Sequence, residues 1–159
     1  MSNRADVLEA NLSTLFHERI ERPSADLANP VDATSALTGH RFLDLLETLF
    51  VVRHLDLEAR ALKDRGEGYY TIASSGHEVN AAVAAALRPT DPAFLHYRSG
   101  GFFVERARQV PGQTPIFDVL LSLTASSDDP ISAGRHKAFG SVPLRIYPQT
   151  CTIASHFPK

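Results

Sequence analysis

This 159-residue chain has a single cysteine and no excess of positive charge. Cys151 is the single cysteine, which excludes an intramolecular disulfide and disfavours a thiolate zinc site, as is typical of proteins in a reducing cytosol. The net charge of −2 lacks the basic surplus that binding to a phosphate backbone requires. We therefore expect no nucleic acid partner.

Long apolar runs are missing as well. No stretch approaches the roughly 20 apolar residues that span a bilayer. The first 20 residues carry Asp6, Glu9 and Glu18, whereas a secretory signal needs an uninterrupted apolar stretch and transit peptides avoid acidic residues. These absences predict a soluble, cytoplasmic protein that does not engage a membrane.

Several short catalytic motifs are also absent from the sequence. There is no Gly-x-Gly-x-x-Gly fingerprint and no P-loop pattern, so neither a standard dinucleotide binder nor a nucleotide-hydrolysing enzyme is supported. No Gly-x-Ser-x-Gly elbow occurs, which argues against an α/β-hydrolase. Ala81 stands where the second histidine of a zinc metalloprotease would follow His77-Glu78, so that class is excluded too.

The composition that remains is that of an ordinary globular domain. Hydrophobic residues make up 43% and charged residues 21% of the chain, enough to build one core. Residues 1–36 predict a helix over 6–21 followed by a linker rich in proline, serine and asparagine. Residues 37–159 form the predicted main domain.

Hydrophobic periodicity predicts four helices in that domain. The first covers residues 40–64, with Thr38 as N-cap, Gly66 as the stop signal and a middle apolar enough to be buried on more than one side. The second follows a capping-box spacing at Ser75 and Glu78 and ends before Pro89, and its alanine-rich face lets another backbone approach closely. Two more begin at the glycine pair 100–101 and at Pro115.

Irregular structure is predicted around these helices. Residues 93–97 form a short predicted strand. From residue 126 to 159 the periodicity fades, and unstructured stretches of that length are usually functional or await a partner.

The stretch "DPAFLHYRSGG", residues 91–101, raises the question of what its arginine does. Arg98 offers a rigid fork of donors suited to phosphate, and the glycine pair after it lets backbone amides reach the same anion. The alternative is a strand-end arginine that extends to water beside Tyr97 in the core. The residues alone leave both interpretations open.

Two later segments also carry polar side chains that could bind a ligand. "SAGRHKAFGS", residues 132–141, is a basic and flexible loop that could contact a substrate or partner. "QTCTIASHFPK", residues 149–159, concentrates hydroxyl groups with Cys151 and His156, and such a turn could hold a monovalent cation or a heterocycle. A polar helix cap is the alternative interpretation.

Taken in order, four segments resemble the α-subunit of thiamine-diphosphate-dependent 2-oxo-acid dehydrogenases, the E1 component, with the branched-chain or 2-oxoisovalerate type most similar. They are "DRGEGYYTIASSGHEVNAAVAAAL", "HYRSGGF", "GRHKAFGS" and "TIASHFPK". The likeness runs from about Leu37 to Lys159. It implies an α/β fold, of which this chain is the N-terminal and mostly helical part of a doubly wound domain that binds thiamine diphosphate.

The resemblance also implies roles for individual residues, none of them catalytic. Tyr97 and Arg98 match the pair that holds the cofactor's diphosphate, with Gly101 as the matching glycine. Residues 76–78 match a segment at the active-site entrance. The family segment that contacts the aminopyrimidine side of the cofactor through its main chain matches Cys151 and Ile153. Related enzymes bind potassium in the same turn, which implicates Thr150, Thr152, Ser155 and His156, although Cys151-Thr152 replaces the usual Ser-Pro.

For the whole enzyme the resemblance implies oxidative decarboxylation of a 2-oxo acid and transfer of the acyl group to a lipoylated E2 partner. The Gly-Asp-Gly motif that binds Mg²⁺ and the β-type subunit or domain would lie outside this sequence, within a hetero- or homo-oligomer. The chain would then be an N-terminal piece, inactive alone. The alternatives are an inactive truncated fragment and a non-catalytic helical module that binds a protein through its alanine-rich helix or its 126–159 tail.

Overall fold

The computed structural model describes residues 4–19, 26–71 and 73–149. The chain divides into two compact units, Met1–His40 and Arg41–Lys159; the sequence placed this division between residues 36 and 37. The elements are α1 (Arg4–Arg19), α2 (Gly39–Asp64), α3 (Asn80–Ala86), β1 (Ala93–Phe94), α4 (Gly100–Arg108), α5 (Pro115–Leu123) and β2 (Ile146–Tyr147). The described part is therefore mostly helical with a two-stranded parallel sheet, compatible with an α/β class.

The first unit contains α1 and, in the described part of the predicted linker from residue 26, a series of turns. The Asp32 carboxylate accepts hydrogen bonds from the backbone N–H of Thr34 at 2.7 Å and from its hydroxyl at 2.6 Å, and these bonds lower the pKa of Asp32. An isolated antiparallel bridge joins Pro30 to Thr38. Backbone pairing and short aspartate turns thus hold the path of the chain into α2.

Helix α2 ends as the sequence predicted. Gly66 adopts a φ of 75°, its N–H donates to the Lys63 carbonyl at 3.0 Å, and the Glu67 N–H reaches back to the Leu62 carbonyl at 2.8 Å. This pair of bonds is the Schellman motif, which favours glycine at its left-handed position. Gly66 is confirmed as the stop signal.

The buried face of α2 is a single stripe. Its members recur every three or four residues: Thr48, Val52, Asp56, Ala59 and Leu62. Phe50 remains 57% exposed and borders a surface groove of about 380 Å³ together with Ile116 and Leu120. The prediction that the middle of this helix is buried on more than one side is therefore wrong for Phe50.

Helix α3 begins at Asn80, later than the predicted capping box, and makes no side-chain cap hydrogen bond. The Glu78 carboxylate instead accepts from the Gly76 N–H at 2.7 Å, within a turn where Gly76 has a φ of 86°. The capping-box prediction is wrong because a more local partner satisfies this carboxylate. The chain leaves the helix at Leu87, whose ψ of 154° is extended, before Pro89.

Helix α4 packs against the alanine face of α3. Ala81 and Ala84 are buried there, and a Cβ added at Gly101 would overlap the Glu78 carbonyl oxygen. The close backbone approach predicted from the alanines is present, and it requires glycine at position 101.

Two charged residues are fully buried on α4. The Glu105 carboxylate pairs with Arg41 and accepts from the Thr48 hydroxyl at 2.9 Å. Arg106 donates from Nη1 to three backbone carbonyls, those of Pro89 at 3.1 Å, Asp91 at 2.9 Å and Leu144 at 3.2 Å. Burial lowers the pKa of Arg106, and the nearby Asp91 carboxylate partly opposes that shift.

The parallel sheet pairs Ala93 with Ile146 and Phe94 with Tyr147. The predicted strand over 93–97 therefore extends only to Phe94, and β2 was not predicted. The residues around the sheet and helices form one apolar cluster that includes Leu62, Ala84, Leu95, Phe102, Phe103, Val119, Leu123, Phe139, Leu144 and Ile146. Across the stretches that the structure covers, no helix is both long and apolar enough to cross a membrane.

Candidate functional site

Tyr97 and Arg98 lie in the turn between β1 and α4. The Ser99 N–H donates to the His96 carbonyl at 2.9 Å, which closes this turn. Tyr97 is buried, with its ring centroid 3.8 Å from that of His96, and the Arg98 guanidinium carbon lies 5.4 Å from the Tyr97 ring centroid. The tyrosine thus belongs to the interior, and the half-buried arginine lies beside it.

The Arg98 guanidinium is fixed at one nitrogen. Its Nη1 donates to the Ala73 carbonyl at 2.7 Å. Within residues 4–19, 26–71 and 73–149, no carboxylate forms an ion pair with Arg98 and no hydrogen bond engages Nε or Nη2. A half-buried cation held in this way presents its remaining N–H groups to an anion.

The start of α4 adds to the positive character of this turn. The helix begins two residues after Arg98, and the Ser99 side chain makes no capping hydrogen bond. The N-terminal end of a helix carries a partial positive charge and suits phosphate groups. The donor chemistry of Arg98 therefore fits a phosphate group, and the start of α4 adds a favourable partial charge nearby.

The glycine pair has a packing role that the sequence did not indicate. A Cβ added at Gly100 would lie 2.7 Å from the Ser74 hydroxyl oxygen, and one at Gly101 would overlap the Glu78 carbonyl oxygen. Both glycines thus bring the segment 73–78 close to the start of α4. Their small size is explained by this packing rather than by access of an anion to their amides.

Helix α2 holds the segment 73–78 at three points. The Asp56 carboxylate accepts from the Ser74 N–H at 2.9 Å. Arg53, one helical turn earlier, donates to the Ser75 hydroxyl at 3.0 Å and pairs with Glu78 at 2.9 Å. Of the residues 76–78 that the resemblance placed at an active-site entrance, Glu78 is thus held against α2.

The loop 132–141 approaches the same place. A Cβ at Gly100 would lie 3.6 Å from the Phe139 ring, and Lys137 lines a small internal cavity together with Asp56 and Ser74. Three of the four segments that carry the family resemblance thus meet around Gly100.

This loop is more ordered than predicted. The buried Asp129 carboxylate accepts from the Ser132 hydroxyl at 2.7 Å and from the Gly134 N–H at 3.2 Å. Lys137 is buried, with its ammonium 5.4 Å from the Phe139 ring centroid, whereas Arg135 and His136 are exposed. The expectation of a flexible basic loop is therefore wrong for Lys137, because its side chain is buried with the ammonium over an aromatic ring.

The remaining candidate residues lie outside the described residues. They are Thr150, Cys151, Thr152, Ile153, Ser155 and His156. In the part of the chain that the structure covers, no group of three or more histidine, cysteine, aspartate or glutamate side chains is arranged to hold a metal ion.

Sequence reasoning missed Asp56. It occupies the buried stripe of α2 between Val52 and Ala59, where an apolar residue is the norm. A carboxylate at such a position is informative because buried acids are rare unless they have a partner. This interruption of the stripe was the signal that could have identified it.

Comparisons with known proteins return no match to a family model, to a curated protein or to a solved structure.

Proposed function

We propose that this chain is the N-terminal part of the α-subunit of a thiamine-diphosphate-dependent 2-oxo-acid dehydrogenase, of the branched-chain type. The proposal is supported by the order of four family-like segments along the chain and by the meeting of three of them around Gly100. The observation that carries it is Arg98, a half-buried cation that lacks a carboxylate partner among the described residues and lies just before the start of α4.

In this proposal Arg98 binds and orients the diphosphate by charge and by its two unengaged guanidinium nitrogens. Tyr97 fixes the turn from the core side, since its buried ring lies beside the guanidinium. The main chain at Cys151 and Ile153 contacts the aminopyrimidine. Thr150, Thr152, Ser155 and His156 form a potassium site, and the Mg²⁺ ligands belong to a downstream Gly-Asp-Gly segment.

The bound cofactor supplies the carbanion chemistry that decarboxylates the 2-oxo acid. The residues of this chain contribute binding and positioning, and none of them transfers a proton. The active assembly requires a β-type subunit or domain, and the acyl group passes to a lipoylated E2. The full protein is an oligomer that acts in the cytoplasm.

The direct test is replacement of Arg98 by alanine in a polypeptide that includes the downstream segment and the β-type partner. We expect the dissociation constant for thiamine diphosphate, measured by calorimetry with Mg²⁺ present, to rise by about 10- to 100-fold, the scale of a charge-assisted hydrogen bond. The matched control is Arg60→Ala, which removes an exposed arginine from α2 and should leave the constant within about twofold. An unchanged affinity in Arg98→Ala would remove the diphosphate role.

A second candidate function, a non-catalytic protein-binding module, is favoured by one surface. Val83 on α3 is 52% exposed, and the residues that flank this helix, Val79 at its N-cap and Leu87 at its C-cap, are 68% and 38% exposed. The alanine face of this helix packs against α4, so a partner of the helix would contact these exposed apolar residues. A module of this kind predicts that thiamine diphosphate and Mg²⁺ leave the melting temperature of the extended polypeptide unchanged, whereas a cofactor-binding subunit is stabilised by them.

A further inference from the structure

We infer that Asp56 is the positioning residue that sets the location of the Arg98 guanidinium. Its role toward a diphosphate rests on the proposed function, but its role toward Arg98 is a property of the chain itself. The link runs through the main chain of two adjacent residues, Ser74 and Ala73.

The geometry of this link is short and direct. Asp56 Oδ1 accepts from the Ser74 N–H at 2.9 Å, and the carbonyl of the preceding residue, Ala73, accepts from Arg98 Nη1 at 2.7 Å. The peptide unit between Ala73 and Ser74 supplies both groups, the carbonyl at one end and the N–H at the other. A planar peptide unit held at its N–H has its carbonyl direction fixed as well. Asp56 therefore determines where the acceptor for Arg98 lies.

The burial of Asp56 supports a specific role for its hydrogen bond to Ser74. The residue is only 6% exposed, and its second oxygen, Oδ2, has no hydrogen-bond partner among the described residues. Burying a carboxylate with one unsatisfied oxygen is costly, and an apolar residue would continue the stripe formed by Val52 and Ala59. The bond to the Ser74 N–H is the one described interaction that such an apolar residue could not provide.

The other tether from α2 is placed differently. Arg53 reaches Ser75 and Glu78, which lie beyond the peptide that Arg98 contacts, and its side chain is 44% exposed. Exposed ion pairs contribute little to rigidity or stability. Arg53 thus fixes the outer part of the segment, and Asp56 fixes the part that holds Arg98.

The first experiment measures the Arg98 side chain in the 159-residue chain without cofactor. We expect the ¹⁵Nη1–Hη1 resonances of Arg98 and the Ser74 amide resonance to move to the values of a solvent-exposed arginine and an unbonded amide in Asp56→Ala. Asp56→Asn, whose side-chain carbonyl can still accept from Ser74, should retain both native resonances. Asp56→Leu fills the same space without an acceptor, so it should also show the displaced resonances. It provides the test if the alanine variant does not fold.

Asp129→Ala is the matched control, because it removes another buried aspartate whose hydrogen bonds all lie within its own loop. It should lower the melting temperature and leave the Arg98 resonance in place. Native Arg98 resonances in both Asp56→Ala and Asp56→Leu would overturn the inference.

The second experiment separates this inference from the proposed function. In the extended polypeptide with its β-type partner, Asp56→Leu should raise the dissociation constant for thiamine diphosphate by about tenfold, while Asp56→Asn stays within about threefold of the unmodified protein. Turnover at saturating cofactor should fall far less than affinity. If Arg98→Ala leaves affinity unchanged while Asp56→Leu still displaces the Arg98 resonance, the proposed function fails and the positioning role stands. If Arg98→Ala weakens binding and Asp56→Leu does not, the positioning role fails alone.

Discussion

Helices α2 and α4 bury their residues in opposite ways. The 26-residue α2 buries five positions along one stripe, whereas α4, with nine residues, buries every position from Gly100 to Ala107. The long helix has the periodic pattern that sequence analysis detects readily. The short helix lacks such a stripe and is surrounded by other parts of the protein. Strong periodicity therefore identifies a helix without identifying the most buried one.

The reason for the difference lies in residue size and in buried charge. Gly100 and Gly101 let other backbone approach α4 closely, so its sides are covered by protein rather than water. Glu105 and Arg106 are accommodated in the interior because Arg41, Thr48 and three backbone carbonyls satisfy part of their hydrogen-bonding capacity. Hydrophobicity patterns cannot anticipate such partners, which come from distant parts of the sequence.

The comparison between α2 and α4 is tested most strongly by Gly101→Ala, for which we expect the largest loss of stability. The added methyl group would overlap a backbone carbonyl that cannot rotate away, so α3 and α4 must separate, at a cost of about 3 kcal/mol in the free energy of unfolding. Urea denaturation measures this directly. Gly100→Ala is the control, because its methyl group meets a hydroxyl that can turn aside, and its cost should be about 1 kcal/mol. Equal costs would contradict the packing account.

A smaller loss is expected from Arg106→Met, which keeps an extended side chain but removes the guanidinium. Three carbonyls lose their donor, while the desolvation cost of Nε and Nη2, which have no partner among the described residues, is relieved. We therefore expect about 2 kcal/mol of destabilisation. Arg108→Met removes an arginine at the end of the same helix, where Glu47 and Asp44 pair with it near the surface. That control should cost below about 1 kcal/mol in thermal or chemical denaturation.

The smallest effect concerns the exposed face of α2. Phe50→Ala should change the free energy of unfolding by less than about 1 kcal/mol, because more than half of its ring is already in water. Val52→Ala, two residues along on the buried stripe, removes a smaller group but should cost about 2 kcal/mol. The reverse order of these two variants would show that Phe50 is buried in solution.

The sequence predicted the helices better than their ends or the strands. The end of α2 at Gly66 was predicted because the Schellman motif depends only on residues that are adjacent in the sequence. The start of α3 was misplaced because the Glu78 carboxylate is held by the Gly76 N–H and by Arg53, more than twenty residues away, rather than by a capping box. Strand β2 was missed because its two residues become a strand only by pairing with Ala93 and Phe94.

For the candidate site, the sequence identified the arginine but not its supports. Tyr97 and Arg98 were recognisable as residue types in a known order, and the structure gives their burial and contacts. The acceptor at Ala73 and the carboxylate of Asp56 carry no motif, since a backbone carbonyl has no residue type and one aspartate in a helix resembles any other. Their roles depend on folding.

The pairing of β1 with β2 also has a consequence during synthesis. Parallel strands cannot close by a hairpin, and Ala93 must wait for Ile146, which emerges from the ribosome roughly 50 residues later. At typical translation speeds that interval is about 3 to 10 s. During it the nascent chain can form α4 and α5, but Arg106 still lacks the Leu144 carbonyl among its three acceptors and the edge of β1 is still unpaired.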